Sequence, residues 1–297
     1  MITYNPKDWF TFIFRFHHSD TFRELFPLMI AMSLYCAGVS YIEMDFLDLG
    51  DTHRLKNISI MHTTLSFVIS MLLVFRTNSA YDRWWEGRKL WGALVNNSRN
   101  LSMKLQAVLG HDKEQERRFF ATMIPNYAFT LKNHLRNVVH TEELHENDMF
   151  NRFEIRDGQH NPNHIAKKMY ERIRKLQMDG TISKEELIYL NQELMSFTDI
   201  CGACERIKNT PIPLSYSIFI KKFIFFYVMS LPLTLVFSLG YWCIPVVVFI
   251  FYVLASLELI AEEIEEPFGK DDNDLPMETL SKNIRKHVYE IWGIENK

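Results

Sequence analysis

Three stretches without a formal charge constrain this chain more than anything else in it. Leu25–Ile42 (18 residues) lies between Glu24 and Glu43, Asn57–Phe75 (19) between Lys56 and Arg76, and Phe223–Leu257 (35) between Lys222 and Glu258. A helix that crosses a bilayer needs roughly 20 mostly apolar residues at about 1.5 Å rise each. The first two stretches each fit one span. The third is too long for one. It becomes two if the first begins near Pro213, with Lys221 and Lys222 snorkelling to the interface and Gly240-Tyr241-Trp242 forming the turn. The expected spans are residues 25–43, 57–76, 213–239 and 242–260. Buried helices of a large soluble core are the competing reading, and a mean hydropathy of -0.10 permits it. Three charge-free stretches of this length rarely coincide in a soluble domain, so four spans is the expectation.

The basic residues set the expected orientation. Residues 1–24 carry Lys7, Arg15 and Arg23, and the region after Phe75 is rich in both signs. The loop between the first two spans is mostly acidic, with Glu43, Asp45, Asp48 and Asp51 against Arg54 and Lys56. Both termini and the long middle region are therefore expected in the cytoplasm, joined by two short outer loops. The whole chain balances 33 basic against 36 acidic side chains, which argues against a protein that coats nucleic acid. Four cysteines in 297 residues make no disulfide framework, and MITYNPKDWFTFIF lacks the order of a signal peptide.

The middle reads as helix throughout. Apolar positions recur at three and four in Trp91–Leu109, Phe119–Leu135 and Ile165–Met178, and Ser183-Lys184-Glu185-Glu186 has the spacing of a capping box. Breakers cluster at His160–Asn163, Asp179-Gly180 and Asn209–Pro213. No breaker separates the second span from the helical middle, so residues 1–297 are read as one integrated unit, with a helical region at 77–210 and a C-terminal segment at 261–297.

Few motifs promise chemistry. Cys201-Gly202-Ala203-Cys204 has the form of a redox CxxC, but that chemistry needs a strand followed by a helix N-terminus, and a helix precedes it here. Packing thiols are favoured. A membrane-anchored thiol-redox or metal enzyme using Cys201 and Cys204 stands as the rival function, and a non-conducting membrane scaffold as a third. His140 and His145 are five apart, and His160 and His164 straddle Pro162, so no ligand set with metal spacing emerges. His62 lies inside a span, where it faces either the bundle interior or the outer interface. There is no phosphate loop, dinucleotide fingerprint or nucleophile elbow, and no enzyme is expected.

Three separated motifs carry a resemblance. They are Arg83-Trp84-Trp85 with EGRKLWG after it, Asn209-Thr210-Pro211-Ile212-Pro213-Leu214-Ser215-Tyr216, and Glu265-Glu266-Pro267-Phe268-Gly269-Lys270-Asp271-Asp272-Asn273-Asp274-Leu275-Pro276. In order and placement this resembles the bestrophins, in wording close to their bacterial branch, and over essentially the whole chain. The resemblance implies an all-α membrane protein of four transmembrane helices per subunit plus a helical cytoplasmic region, assembled as a homopentamer around a central pore.

It also implies sites. Counting back from the Arg-Trp-Trp motif, the pore neck falls on Phe67, Met71 and Phe75, a spacing of four that shares one helix face. Without the family the same face would read as helix packing. The family's cytoplasmic aperture lands near Glu185, with Ile182 as its apolar competitor. Animal members clasp Ca2+ with an acidic element whose positions match Glu263, Glu266, Asp271 and Asp274 here. Lys270 replaces an acid, and Glu263 and Glu266 replace amides, so Ca2+ gating is not expected and no cofactor is required.

The function expected is passive conduction of small monovalent ions through a bacterial inner membrane, gated by the apolar neck. Bacterial-branch members and the outer-mouth acids Glu43, Asp45, Asp48 and Asp51 both lead to an expected preference for cations.

Overall fold

The computed structural model describes residues 21–48 and 59–294. Among these the chain is helical, with one isolated bridge between Asn147 and Phe150 and no strand. The principal helices are α1 (Thr21–Tyr41), α2 (Ser59–Val108), α3 (Glu114–Leu135), α4 (Asn161–Met178), α5 (Lys184–Asn209), α6 (Leu214–Ser230), α7 (Pro232–Leu239), α8 (Cys243–Glu265) and α9 (Met277–Trp292). They fall into two compact units.

The first unit holds α1, the N-terminal part of α2, and α6 to α8. Its core is a seam of apolar residues contributed by each long helix. Leu25, Met32 and Cys36 come from α1, Ile69 and Leu73 from α2, Ile220, Ile224 and Val228 from α6, and Val247 and Phe251 from α8. Two hydrogen bonds cross this seam. Tyr35 donates to the Met229 carbonyl at 2.9 Å, and the Thr21 and Ser256 hydroxyls meet at 2.8 Å. Little else is covered. In each of the apolar stretches Thr21–Phe46, Ile60–Val108 and Leu214–Glu265, only 22% of the most apolar window is buried by protein. A soluble core would hide such residues, whereas a bilayer solvates them. This is an all-α membrane protein.

Two local departures have plain causes. The expected 213–239 span is divided, because Pro232 has no N–H to continue the ladder and opens α7 as its first residue. The next turn is sharp, with Gly240 at φ +55°, a conformation that suits glycine. At the same end of the unit, α1 runs past Tyr41 into a π-turn over Ile42–Phe46, where Asp45 accepts the Tyr241 hydroxyl.

The second unit holds the rest of α2, then α3, α4, α5 and α9. Here α3 is the axle. Phe120, Met123, Ile124, Tyr127, Ala128 and Leu131 are fully buried. Two of its charges are enclosed as well: Lys132 reaches both Glu143 oxygens at 2.6 and 2.7 Å, and Glu116 pairs with Arg172. The Ser183 capping box forms as its spacing implies, Glu186 N–H donating to Ser183 Oγ at 3.1 Å and Ser183 N–H to Glu186 at 2.7 Å. Gly87, inside the Glu-Gly-Arg-Lys motif of α2, lies against Phe268 and Leu275 so closely that a Cβ there would meet both at 3.2 Å. The Pro-Phe-Gly element is thus seated on a helix surface kept bare for it.

Candidate pore helix and the carboxylate junction beside it

Helix α2 has two faces with opposite duties. His62, Ile69, Leu73, Arg76 and Ala80 are buried and recur at intervals of seven, four, three and four. At about 100° per residue, Met71 stands opposite that seam, with Phe67 and Phe75 about 40° to either side. All three are exposed, Phe67 by 71%, Met71 by 49% and Phe75 by 52%. Thr64, Asn78 and Asp82 are exposed on the same stripe, so three apolar side chains are bracketed by polar ones. The hydroxyls within this helix do not interrupt it: Ser66, Ser70 and Thr77 each donate to a carbonyl one turn back at 2.7 to 2.9 Å. Such a stripe can line a shared axis, where copies of it would stack as apolar rings.

The buried face carries the polar fittings. His62 faces the bundle interior rather than the outer interface, with one ring nitrogen 2.8 Å from Ser230 Oγ and the other 3.0 Å from Thr234 Oγ1. One residue beyond Phe75, Arg76 is 1% exposed and pairs with Glu265 at 2.7 Å and Glu258 at 3.6 Å. Glu265 is where the three sequence motifs meet. Its side chain also accepts the Ile212 N–H at 2.6 Å, and its backbone carbonyl accepts Arg83 Nε–H at 3.0 Å. Trp84 Nε1–H donates to the Asn273 carbonyl at 3.0 Å, holding the acidic loop. Neither Arg76 nor Glu258 stands out by spacing. The signal lies elsewhere, since each is the charge that closes an apolar stretch.

The remaining expected positions scatter. Of the loop acids, Glu43 is buried, Asp45 accepts the Tyr241 hydroxyl, Asp48 sits at φ 44°, and Asp51 lies outside the described residues. A buried Glu43 cannot contribute to a charged mouth. Ile182 is 1% exposed and packed within its unit, whereas Glu185 is exposed in the first turn of α5.

In the acidic element, Glu263 accepts Asn273 Nδ2–H at 2.6 Å, Glu266 and Asp271 are exposed, and Asp274 is buried. Glu263, Glu266 and Asp271, which share one unit, do not converge as a carboxylate cluster.

Cys201 and Cys204 are buried in the C-terminal half of α5, far from its N-terminus. Burial pushes the Cys201 thiol up to about 12 and Cys204 higher still, so neither supplies a thiolate for redox work. Among the described residues, the three side chains whose ligand atoms gather closely enough for a metal ion are His134, His160 and Glu205. Their separation along the chain hid them from any spacing rule.

Comparison with known proteins agrees with this geometry. The family model described as bacterial/fungal bestrophin protein matches residues 1–290. A voltage-dependent anion channel-forming protein of Nostoc sp. is 35% identical over 234 residues, covering 77% of this chain and 76% of that one. The voltage-dependent anion channel-forming protein YneE of Escherichia coli K12 is 30% identical over 285 residues, covering 96% and 91%. Among solved structures, a bacterial bestrophin homologue from Klebsiella pneumoniae superposes with a TM-score of 0.80 at 26% identity, over 90% of this chain and 98% of that one. Three motifs joined at one buried carboxylate, an exposed apolar stripe on a long membrane helix and a family match over nearly the whole length lead to one conclusion: the chain belongs to the bacterial and fungal bestrophins, a family of ion channels and not of enzymes.

Proposed function

We propose that this chain forms a homopentameric channel that passes small monovalent anions passively across a bacterial inner membrane. The observation that carries the reading is the stripe of Phe67, Met71 and Phe75. It is exposed in the single chain, apolar, and opposite the seam that builds the subunit. The subunit's own helices leave this stripe uncovered, and five copies around an axis would gather it into stacked apolar rings. The rings gate by excluding water rather than by charge. Met71, with its flexible thioether, makes the middle ring the most adaptable.

The sign of the ion is a correction. A cation preference rested on bacterial-branch likeness and on four acids at the outer mouth. One of those acids is buried and a second is engaged by Tyr241. The relatives from Nostoc and Escherichia coli are named as anion channel-forming proteins. An apolar neck admits weakly hydrated ions of either sign, and the names of these relatives support anions. Four spans, with α6 and α7 together as the third, keep both termini on one side, and the basic residues flanking the spans support the cytoplasmic side. Glu185, exposed where Ile182 is buried, is the better candidate for the second aperture. No cofactor is needed for conduction on this reading.

The test is the reversal potential of purified protein in planar bilayers under a tenfold KCl gradient. A shift toward the Cl- equilibrium potential is expected. A shift toward that of K+ restores the cation reading, and the absence of current from well-assembled oligomer removes the channel.

A further inference from the structure

We propose that His134, His160 and Glu205 form a binding site for a divalent transition-metal ion of the zinc class, separate from the pore stripe and from the acidic element. The three residues come from three helices: His134 from the last turn of α3, His160 from the N-cap of α4, and Glu205 from the C-terminal half of α5. Both imidazole Nε2 atoms point at the same carboxylate oxygen, His134 at 2.6 Å and His160 at 2.8 Å. The rings lie 4.5 Å apart, and all three ligand atoms fall within 4.8 Å of one another.

Two imidazole nitrogens and one carboxylate oxygen are the donor set that zinc-class ions take, with the fourth position left to water. Metal–ligand bonds of about 2.0–2.2 Å in a tetrahedral arrangement separate the ligand atoms by roughly 3.3–3.6 Å. The carboxylate therefore has to withdraw by less than about 1 Å from its present hydrogen bonds to admit the ion. Side-chain exposures of 27%, 34% and 28% leave the cluster reachable from solvent while still held in the fold. The supports are fixed as well. Lys208 Nζ donates to the His134 carbonyl at 3.2 Å, tying the end of α3 to α5.

The protons make the assignment specific. His160 Nδ1 accepts the Asn163 N–H at 3.2 Å, which puts the ring's proton on Nε2, donating to Glu205. Coordination through Nε2 moves that proton to Nδ1, so the ring must release the Asn163 amide as it takes the ion. Loading the site thus exchanges a helix cap for a bond that joins three helices.

The experiment titrates Co2+ into the detergent-purified full-length protein, reading visible absorption and bound metal per chain, with Zn2+ as competitor. One Co2+ per chain with the absorption of an imidazole-ligated ion is expected, displaced by Zn2+. His134→Asn and Glu205→Gln should each weaken it by about tenfold or more. His140→Asn, whose ring meets exposed Glu142, should leave it unchanged. Glu205→Gln keeps an acceptor oxygen for both rings and so decides the matter if His134→Asn fails to fold. On loading, hydrogen exchange at the Asn163 amide should rise. No Co2+ bound by the unmutated protein, binding that survives Glu205→Gln, an equal loss in His140→Asn, or an Asn163 amide indifferent to loading would each overturn the site.

Discussion

Helix α3 and the membrane part of α2 invert the usual relation between composition and burial. In α3, seventeen of 22 residues are buried, Glu116 and Lys132 among them, although the helix contains ordinary proportions of charge. In the apolar window of α2, 22% of residues are buried, although its mean hydropathy is 1.5. The difference lies in the solvent. Around α3 every face must be covered by protein to escape water, and the charges that go with it need partners. Around α2 a bilayer or a neighbouring subunit accepts the apolar side chains, so protein contact is concentrated on one seam. Burial reports what surrounds a helix as much as what the helix is made of.

Six substitutions break or sharpen that contrast. Arg76→Ala should do the most damage, because it strands Glu258 and Glu265 in the interior. A loss of about 3–5 kcal/mol is expected, read as a fall in thermal midpoint and in recovered oligomer. Phe120→Ala, in the fully enclosed α3, should lose a similar or slightly smaller amount, about 3–5 kcal/mol by cavity formation. A mild effect there would mean that α3 is less tightly held than its burial implies. Gly87→Ala places a Cβ 3.2 Å from Phe268 and Leu275 and should cost about 1–3 kcal/mol, visible as a lowered melting temperature.

Ser183→Ala should cost about 1 kcal/mol by removing the cap of α5. The same cap gives a pH signature. Hydrogen bonds from the Ser183 backbone and side chain hold Glu186 below the usual carboxylate range near ~4.3. Its contribution is therefore present above that range and lost as pH falls through the lowered value. In Glu186→Gln this acid-side loss should disappear from a pH series of melting curves. Met71→Ala stands at the far end. Its effect on stability should stay within about 0.5 kcal/mol, yet single-channel conductance should rise as the neck widens. Unchanged currents would take Met71 out of the constriction.

The membrane helices were legible because their signal is a run of residues, and runs survive being read one position at a time. Leu25–Ile42 and Asn57–Phe75 announced α1 and the start of α2, and Ser183-x-x-Glu186 announced α5. The family motifs were legible as words, but not their grammar. Nothing in Arg83-Trp84-Trp85, Ile212 or Glu265 says that one carboxylate gathers them. Acids looked alike in sequence and proved different in place: Glu43 is buried while Glu185 is exposed. Ile182 and Glu185 differ by three positions, and only packing decides which side chain reaches the surface. The His134, His160 and Glu205 cluster joins three helices, and periodicity within one helix carries no information about such a meeting.

The spacing of the seam on α2 has one more consequence. Because His62, Ile69, Leu73, Arg76 and Ala80 hold this part of the helix to its own subunit, residues on the far side are released from the work of folding. Mutation can enlarge, narrow or recolour that side without asking the rest of the chain to compensate. A helix arranged in this way can drift on one side while staying constant on the other, so that its outward face is open to change one side chain at a time.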